Sequence, residues 1–346
     1  MELKYPIFLL LVVVALATLL LVPQKPEVIE EGPYEIEFGV SFSPLYAESL
    51  GLDPQKTYQA ILDELHPKSV RLPVYWSEVE RENDQFNFRE VDWYLQEAGK
   101  RGVKAVLAVG YRNFRYPECY PPDWAKNLGD KEFEEELFEY LASSVEHFSN
   151  GDLPAGKAGL SRTIEAWQVE NEPFDLPIFR RWCRHFSGDL IGREIKVVKA
   201  TDLLQRPVVL TFGGEVFLRN LWRKTIDKAD IFGVSYYPRT VLPGGLVIQT
   251  YRLGPFSPRN IAKERQFATN LGKKFWVVEM QAEPWGGREE MMSPEILKEN
   301  YDLLLQFGGA ERVYLWGAEW WYKEKLEGRD GLWVIGREIL NIEGER

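Results

Sequence analysis

The sequence predicts an α/β fold: a (β/α)8 TIM barrel in a single domain, preceded by an N-terminal transmembrane anchor and a short linker. Three observations carry that expectation. Past an apolar start and a linker, the 346-residue chain leaves about 313 residues (346 minus 33), a length that suits one large barrel. Short apolar runs then alternate with amphipathic stretches, eight times over, with no sequence repeat. Several runs, such as Ala105-Val106-Leu107-Ala108-Val109, are continuously apolar, as parallel strands covered on both faces must be. An open, doubly wound sheet is the alternative. It would usually place a Gly-rich turn after the first strand, where this chain reads Gly39-Val40-Ser41-Phe42-Ser43-Pro44.

The elements follow in order. Residues 1–22 hold an uncharged run from Pro6 to Val22, with Ile7-Phe8-Leu9-Leu10-Leu11-Val12-Val13-Val14 at its centre. Its length is near the ~20 residues that span a bilayer. Ala15 and Ala17 lie inside the run rather than at its end, which favours an uncleaved signal-anchor over a cleaved signal peptide. Residues 23–33, rich in Pro and Glu, form the linker, and 34–346 the barrel domain. Strands are expected near 36–42, 69–74, 104–110, 164–169, 208–212, 231–235, 275–279 and 313–316. Asp53-Pro54 can cap a helix that buries Tyr58, Ile61, Leu62 and Leu65. Val91, Tyr94, Leu95 and Ala98 make the next stripe; Phe133, Leu137, Tyr140, Leu141, Val145 and Phe148 make a longer one. Ser293-Pro294 opens the last clear helix.

Composition narrows the chemistry. A net charge of −11 lacks the basic patch that nucleic acid requires. Three His with no pair at short spacing point to no metal, and no Gly fingerprint points to a nucleotide cofactor, so no cofactor is expected. Two cysteines, Cys119 and Cys183, are too few for a disulfide scaffold.

In a barrel of this kind, chemistry gathers where strands run into their following loops. Strand two carries Arg71 inside an apolar run, and a buried cation there needs an anionic partner. Strand four ends Gln168-Val169-Glu170-Asn171-Glu172-Pro173. Strict alternation puts Glu170 and Glu172 on one face with Asn171 opposite, although a bulge would break that rule, so facing alone does not choose between the carboxylates. Strand seven ends in Glu279, with Glu283 further along as the second choice. Two carboxylates about three βα units apart can face each other across one barrel mouth. A separation of roughly 5–5.5 Å suits double displacement at a sugar carbon, one attacking and the other handling the proton. Arg71 and a tyrosine could hold the attacking group ionised.

Together these residues resemble the clan of retaining glycoside hydrolases on (β/α)8 barrels that includes the cellulase-like families. Asn171-Glu172-Pro173 resembles the clan's acid/base motif, and Glu279 its nucleophile. Val70-Arg71-Leu72-Pro73 is similar to its strand-two arginine segment. Ser235-Tyr236-Tyr237-Pro238 is similar to segments that supply a tyrosine to the nucleophile; Tyr237 is preferred, with Tyr236 one shift away. Trp316 in Tyr314-Leu315-Trp316-Gly317 resembles the strand-eight tryptophan that floors the sugar subsite. The chain departs from the clan at Ser235, where His is frequent, and at Met280-Gln281, where an aromatic and Gly often follow the nucleophile.

The resemblance implies that Asn171 bonds a sugar 2-hydroxyl and that Trp76, Trp124, Trp285 and Trp316 are candidate sugar platforms. It implies an oligo- or polysaccharide substrate. A monomer is expected, tethered to a membrane by the apolar N-terminal segment. The catalytic domain is expected outside the cytoplasm, or secreted if that segment is cleaved. The loops after strands three and four lie close in such a barrel, so a Cys119–Cys183 bridge beside the cleft is expected as a hypothesis. The competing readings are a membrane-tethered transglycosylase and a non-catalytic glycan-binding barrel.

Overall fold

The structure, a computed structural model, describes residues 36–149, 160–174, 183–184, 187–213, 225–241, 247–250, 257–284, 288–306 and 309–342. The expected anchor and linker, and Trp285, lie outside the described residues. Among the described residues no helix is long and apolar enough to cross a membrane.

Eight parallel strands close on themselves. They are β1 (Glu37–Ser41), β2 (Ser69–Pro73), β3 (Lys104–Val109), β4 (Ile164–Val169), β5 (Val208–Phe212), β6 (Ile231–Tyr236), β7 (Lys274–Gln281) and β8 (Arg312–Trp316). Each pairs with its neighbour in sequence, and β1 closes the ring on β8, with Glu37 opposite Arg312 and Ser41 opposite Trp316. A short antiparallel pair, Arg239–Val241 with Val247–Gln249, follows β6.

The helices form where local signals ask for them. Asp53 accepts from the Lys56 N–H at 3.1 Å and caps the helix that starts at Pro54. Ser293 does the same for Ile296 at 3.2 Å ahead of the helix Pro294–Gln306. The helix Asp130–Ser149 buries the stripe from Phe133 to Phe148 that its period implies. Two helices after β8, Ala318–Leu326 and Gly331–Leu340, were not expected. The second carries Gly336 in its middle, a helix-weakening residue on sequence alone. A Cβ there would come within 2.4 Å of the Trp321 ring, so the glycine lets the two helices pack.

The barrel interior is stacked along its axis. Near the bottom Ser69, Glu165, Arg312 and Tyr314 form a polar plug, in which Ser69 Oγ donates to Glu165 at 2.8 Å and Arg312 pairs with the same carboxylate. Above it Val106, Ala166, Val209, Ile231, Trp276, Val278 and Tyr314 fill the lumen. The next layer up holds Arg71, Gln168 and Glu279, and there the chemistry begins.

Candidate active site

Two local breaks in strand alternation shape this layer. In β7, Trp276 and Val278 point into the lumen, while Phe275, Val277 and Met280 pack outward against the helices. The register slips at Val278: Val234 faces Val277 but Ser235 faces Glu279, and on the other side Val313 faces Val277 but Leu315 faces Met280. Strict alternation would send Glu279 outward with Val277. The bulge turns it inward instead.

The second break follows β4. The strand ends at Val169, and Glu170 and Glu172 both adopt left-handed backbone, φ +56° and +45°. The expected shared face of Glu170 and Glu172 is therefore corrected. Glu170 turns back, fully buried, to accept from the backbone N–H groups of Tyr111 (2.8 Å) and Arg112 (2.6 Å). Asn171, expected opposite, points to the lumen and accepts from Arg71 Nη2 at 2.7 Å. Glu172 is half-buried. Its N–H donates to Thr211 Oγ1 at 2.9 Å, and its carboxylate lies against Gly213 just past β5, where an added Cβ would sit 2.6 Å from Oε2.

Arg71 joins the two carboxylate-bearing strands. It is fully buried, and its Nε donates to Gln168 Oε1 at 2.6 Å, Nη1 to Glu279 Oε1 at 2.8 Å and Nη2 to Asn171 Oδ1. Its guanidinium also stacks on Phe114, 4.1 Å from the ring centroid. The other oxygen of Glu279 accepts from Tyr237 O–H at 2.8 Å. Tyr236 packs with the outer core, so of the two tyrosines it is Tyr237 that contacts Glu279. Burial, then the Glu279 carboxylate, then that of Glu172, push the Tyr237 phenol well above its ordinary range. It therefore stays a proton-bearing donor, and one tyrosine feels both carboxylates.

Trp316 joins Tyr237, Phe114 and Ala108 in an apolar group above the lumen. A face of its ring is covered by the Arg115 guanidinium at 3.9 Å. Arg115 pairs with Glu283 and with Glu319 at 3.1 Å, so Glu283, the second choice for nucleophile, is held by a different cation from the one that meets Glu279. Burial raises the Glu283 carboxyl above its usual range despite that cation.

Trp76 is corrected as a sugar platform. It is wholly buried, stacks on Tyr140 at 5.4 Å, and donates from Nε1 to Glu80 at 2.7 Å. Trp124 meets it edge-on at 5.9 Å and donates to the Glu80 carbonyl. Cys119 and Cys183 are bonded, with Cα atoms 5.7 Å apart, which ties the β3 and β4 loops together. Gln168, Ser41, Phe114, Thr211, Gly213, Arg115 and Glu319 escaped the sequence reading, as did the pairing of Glu283 with Arg115. Only Gln168 left a signal, as an amide inside an apolar strand.

The upper end of the barrel thus holds a carboxylate on β7 gripped by an arginine and a tyrosine, and a second carboxylate just past the end of β4. No family model matches the chain, and no curated protein does. Solved structures share the fold. An exo-β-1,4-mannosidase, Op5Man5 from Opitutaceae bacterium strain TAV5, superposes with a TM-score of 0.64 and 13% identity, over 92% of this chain and 63% of its own. A GH5_18 protein from Bifidobacterium longum subsp. infantis gives 0.60 and 16%, over 82% and 69%. A GH5_18 variant from Bifidobacterium longum subsp. longum ATCC 55813, in complex with Manβ1-4GlcNAc, gives 0.58 and 13%, over 81% and 68%.

Proposed function

We propose that the chain is a retaining glycoside hydrolase acting on β-linked saccharides, with Glu279 as nucleophile and Glu172 as acid/base. The observation that supports this best is the grip on Glu279. One oxygen accepts from Arg71 and the other from Tyr237, both at 2.8 Å, at the top of a filled barrel. Two donors, one on each oxygen, fix the direction of the carboxylate. Glu172, at the end of β4, acts on the same tyrosine.

In the first step a Glu279 oxygen bonds the anomeric carbon as the glycosidic C–O bond breaks. Glu172 gives its proton to the leaving oxygen. In the second step Glu172 takes a proton from water, whose oxygen bonds the anomeric carbon and releases Glu279. Asn171 Oδ1 is taken by Arg71 and Gln168, which leaves its amide nitrogen to donate to a sugar hydroxyl. Trp316 and Tyr237 form the apolar floor.

The test is a panel of aryl β-glycosides, with mannosides and galactosides first, on the wild type, Glu279→Gly and Glu172→Ala. Turnover by the wild type is expected, with loss in both variants. Added azide should yield the inverted glycosyl azide from Glu279→Gly and the retained one from Glu172→Ala. Wild-type rates in both variants would remove the assignment. We also propose that the segment 1–22 tethers this domain outside the cytoplasm, a reading supported by the Cys119–Cys183 bridge, since disulfides persist in oxidising compartments. Protease treatment of intact cells should then remove the domain.

A further inference from the structure

Behind the candidate acid/base lies a second carboxyl pair that this mechanism does not use. Glu170, at the first position past β4, and Glu194, on the helix Gly188–Thr201, are both fully buried. Glu170 accepts two backbone N–H bonds from the β3 loop. Both oxygens of Glu194 are buried with no hydrogen-bond partner, and after burial itself the charge that acts on the group most strongly is the carboxyl of Glu170.

The seat is built for a carboxyl. Gly110 has φ +125°, and a Cβ there would lie 2.4 Å from Glu170 Oε1. Only a glycine both takes that conformation and leaves room for the oxygen. From the seat, bonds run straight to the catalytic motif. Arg112, whose N–H holds Glu170, accepts from the Asn171 N–H at 2.9 Å and donates from Nη1 to the Glu172 carbonyl at 2.7 Å.

We propose that Glu170 and Glu194 share a single proton, and that this proton-bridged pair is the positioning device that aims Glu172 into the cavity. Two carboxylates in contact in a dry interior cannot both ionise. Glu170 has the backbone donors, so it is the carboxylate. Glu194, with none, keeps the proton and donates it. The left-handed turn at Glu170 and Glu172 is then pinned from behind, through Arg112, to the helix 188–201. Burial disfavours charge on either group, so the pair gives up the proton it shares only above the usual carboxylate range. The other groups facing the pair are Arg112, Tyr111 and Tyr140 on the Glu170 side, and Arg193 and Glu134 on the Glu194 side. Neither Arg193 nor Glu134 donates to Glu194.

The positioning claim rests on Glu172 being the acid/base, so the experiment has two arms. In the first, the full chain carries glutamate labelled with carbon-13 at the carboxyl. At neutral pH the wild type should show a protonated carboxyl that Glu194→Gln lacks. If the variant keeps every protonated carboxyl of the wild type, the shared proton does not exist. This arm needs no turnover and no disruptive variant.

The second arm compares phenyl and 2,4-dinitrophenyl β-mannosides. The dinitrophenolate departs without a proton, whereas phenol needs one. Glu194→Leu should lose about tenfold or more in kcat/KM on the phenyl glycoside relative to the dinitrophenyl one, and Glu194→Gln, which can still donate to Glu170, should restore the ratio. A Glu194→Leu ratio equal to the wild type's overturns the positioning role, because general destabilisation would lower both rates alike. Glu172→Ala is run beside it. If that variant lacks the same leaving-group dependence, it is the acid/base assignment that fails, and the carbon-13 result still stands alone.

Discussion

Arg71 Nη1 lies 2.8 Å from Glu279 Oε1, and the same guanidinium reaches Asn171 and Gln168, so one buried cation orients the ends of β4 and β7 together. Arg71→Lys keeps the charge but loses the planar fork. The expected outcome is a loss in kcat on the order of 100-fold, the scale seen when a preorganised donor is removed. Arg71→Met leaves Glu279 buried without its cation, and breaking such a pair destabilises by about 3–5 kcal/mol. Steady-state kinetics on the aryl glycosides and denaturant unfolding check the two in turn. A Lys variant of undiminished kcat would show that the fork is dispensable.

Tyr237 gives Glu279 its second donor. A hydrogen bond to a charged group contributes about 1.5–3 kcal/mol, so Tyr237→Phe should lower kcat/KM about 10- to 100-fold. Tyr236→Phe is the control. Its ring packs in the outer core, and kcat/KM should stay within about threefold of the wild type, since no reacting group is touched. Equal losses in the two variants would reopen the choice between them.

Why one tyrosine and not its neighbour could be preferred but not settled from sequence has a physical reason. Alternation along a strand gives facing only while the pleat is regular. The slip at Val278 and the left-handed residues Glu170 and Glu172 break it where function sits. The eight strands were legible to within two residues at each end, because buried parallel strands are apolar runs bounded by turns. Asn171, Glu172 and Glu279 were legible as polar residues closing such runs. Asn171's side was not, nor was the burial of Trp76, since a tryptophan beside a strand end reads the same whether it lines a cleft or a core. Arg115, Glu283 and Glu319 meet only because the loops after β3 and β7 and the helix after β8 converge, a closeness no local pattern encodes.

The Cys119–Cys183 bridge closes a separation of 64 residues between the loops after β3 and β4. Chain-entropy arguments put a bridge of that span at about 4 kcal/mol. The double Cys→Ser variant should unfold at correspondingly lower denaturant, and thiol titration of the unreduced, unfolded wild type should count none. Two reactive thiols in that titration would contradict the bond.

Stability should depend on pH from both sides. Burial alone would raise Asp202, but Arg206, through its guanidinium and backbone N–H, and the Trp167 indole outweigh it and hold the group down to about 2. Its folded pKa lies below the unfolded value, so its contribution is present above about pH 4 and is lost as pH falls towards 2. Glu170 and Glu194 are shifted upward. Their contribution is full below the unfolded value near about 4.3 and declines as pH rises, because the unfolded chain releases a proton that the fold retains. Melting temperature against pH should therefore flatten on the acid side in Asp202→Asn and on the alkaline side in Glu194→Gln. Parallel curves for the wild type and a variant would exclude that variant's group as the cause.

Gly213 gives the sharpest separation of activity from stability. It lies just past β5 with ordinary backbone, so alanine meets no conformational strain there. The added methyl would, however, stand 2.6 Å from Glu172 Oε2 and 2.7 Å from its Cδ, closer than any real contact. The far end of a glutamate can swing away, and doing so relieves the clash at little thermodynamic expense. The displaced carboxyl then misses the leaving oxygen. Because a misplacement of about 1 Å can lower a rate 100-fold, Gly213→Ala should lose on the order of 100-fold in kcat on a phenyl glycoside while its unfolding free energy shifts by less than about 1 kcal/mol. The loss should shrink on a dinitrophenyl glycoside, whose aglycone leaves without the proton that Glu172 supplies. If both substrates lost equally, the methyl would be disturbing something other than proton delivery, and the place given to Glu172 against β5 would have to be redrawn.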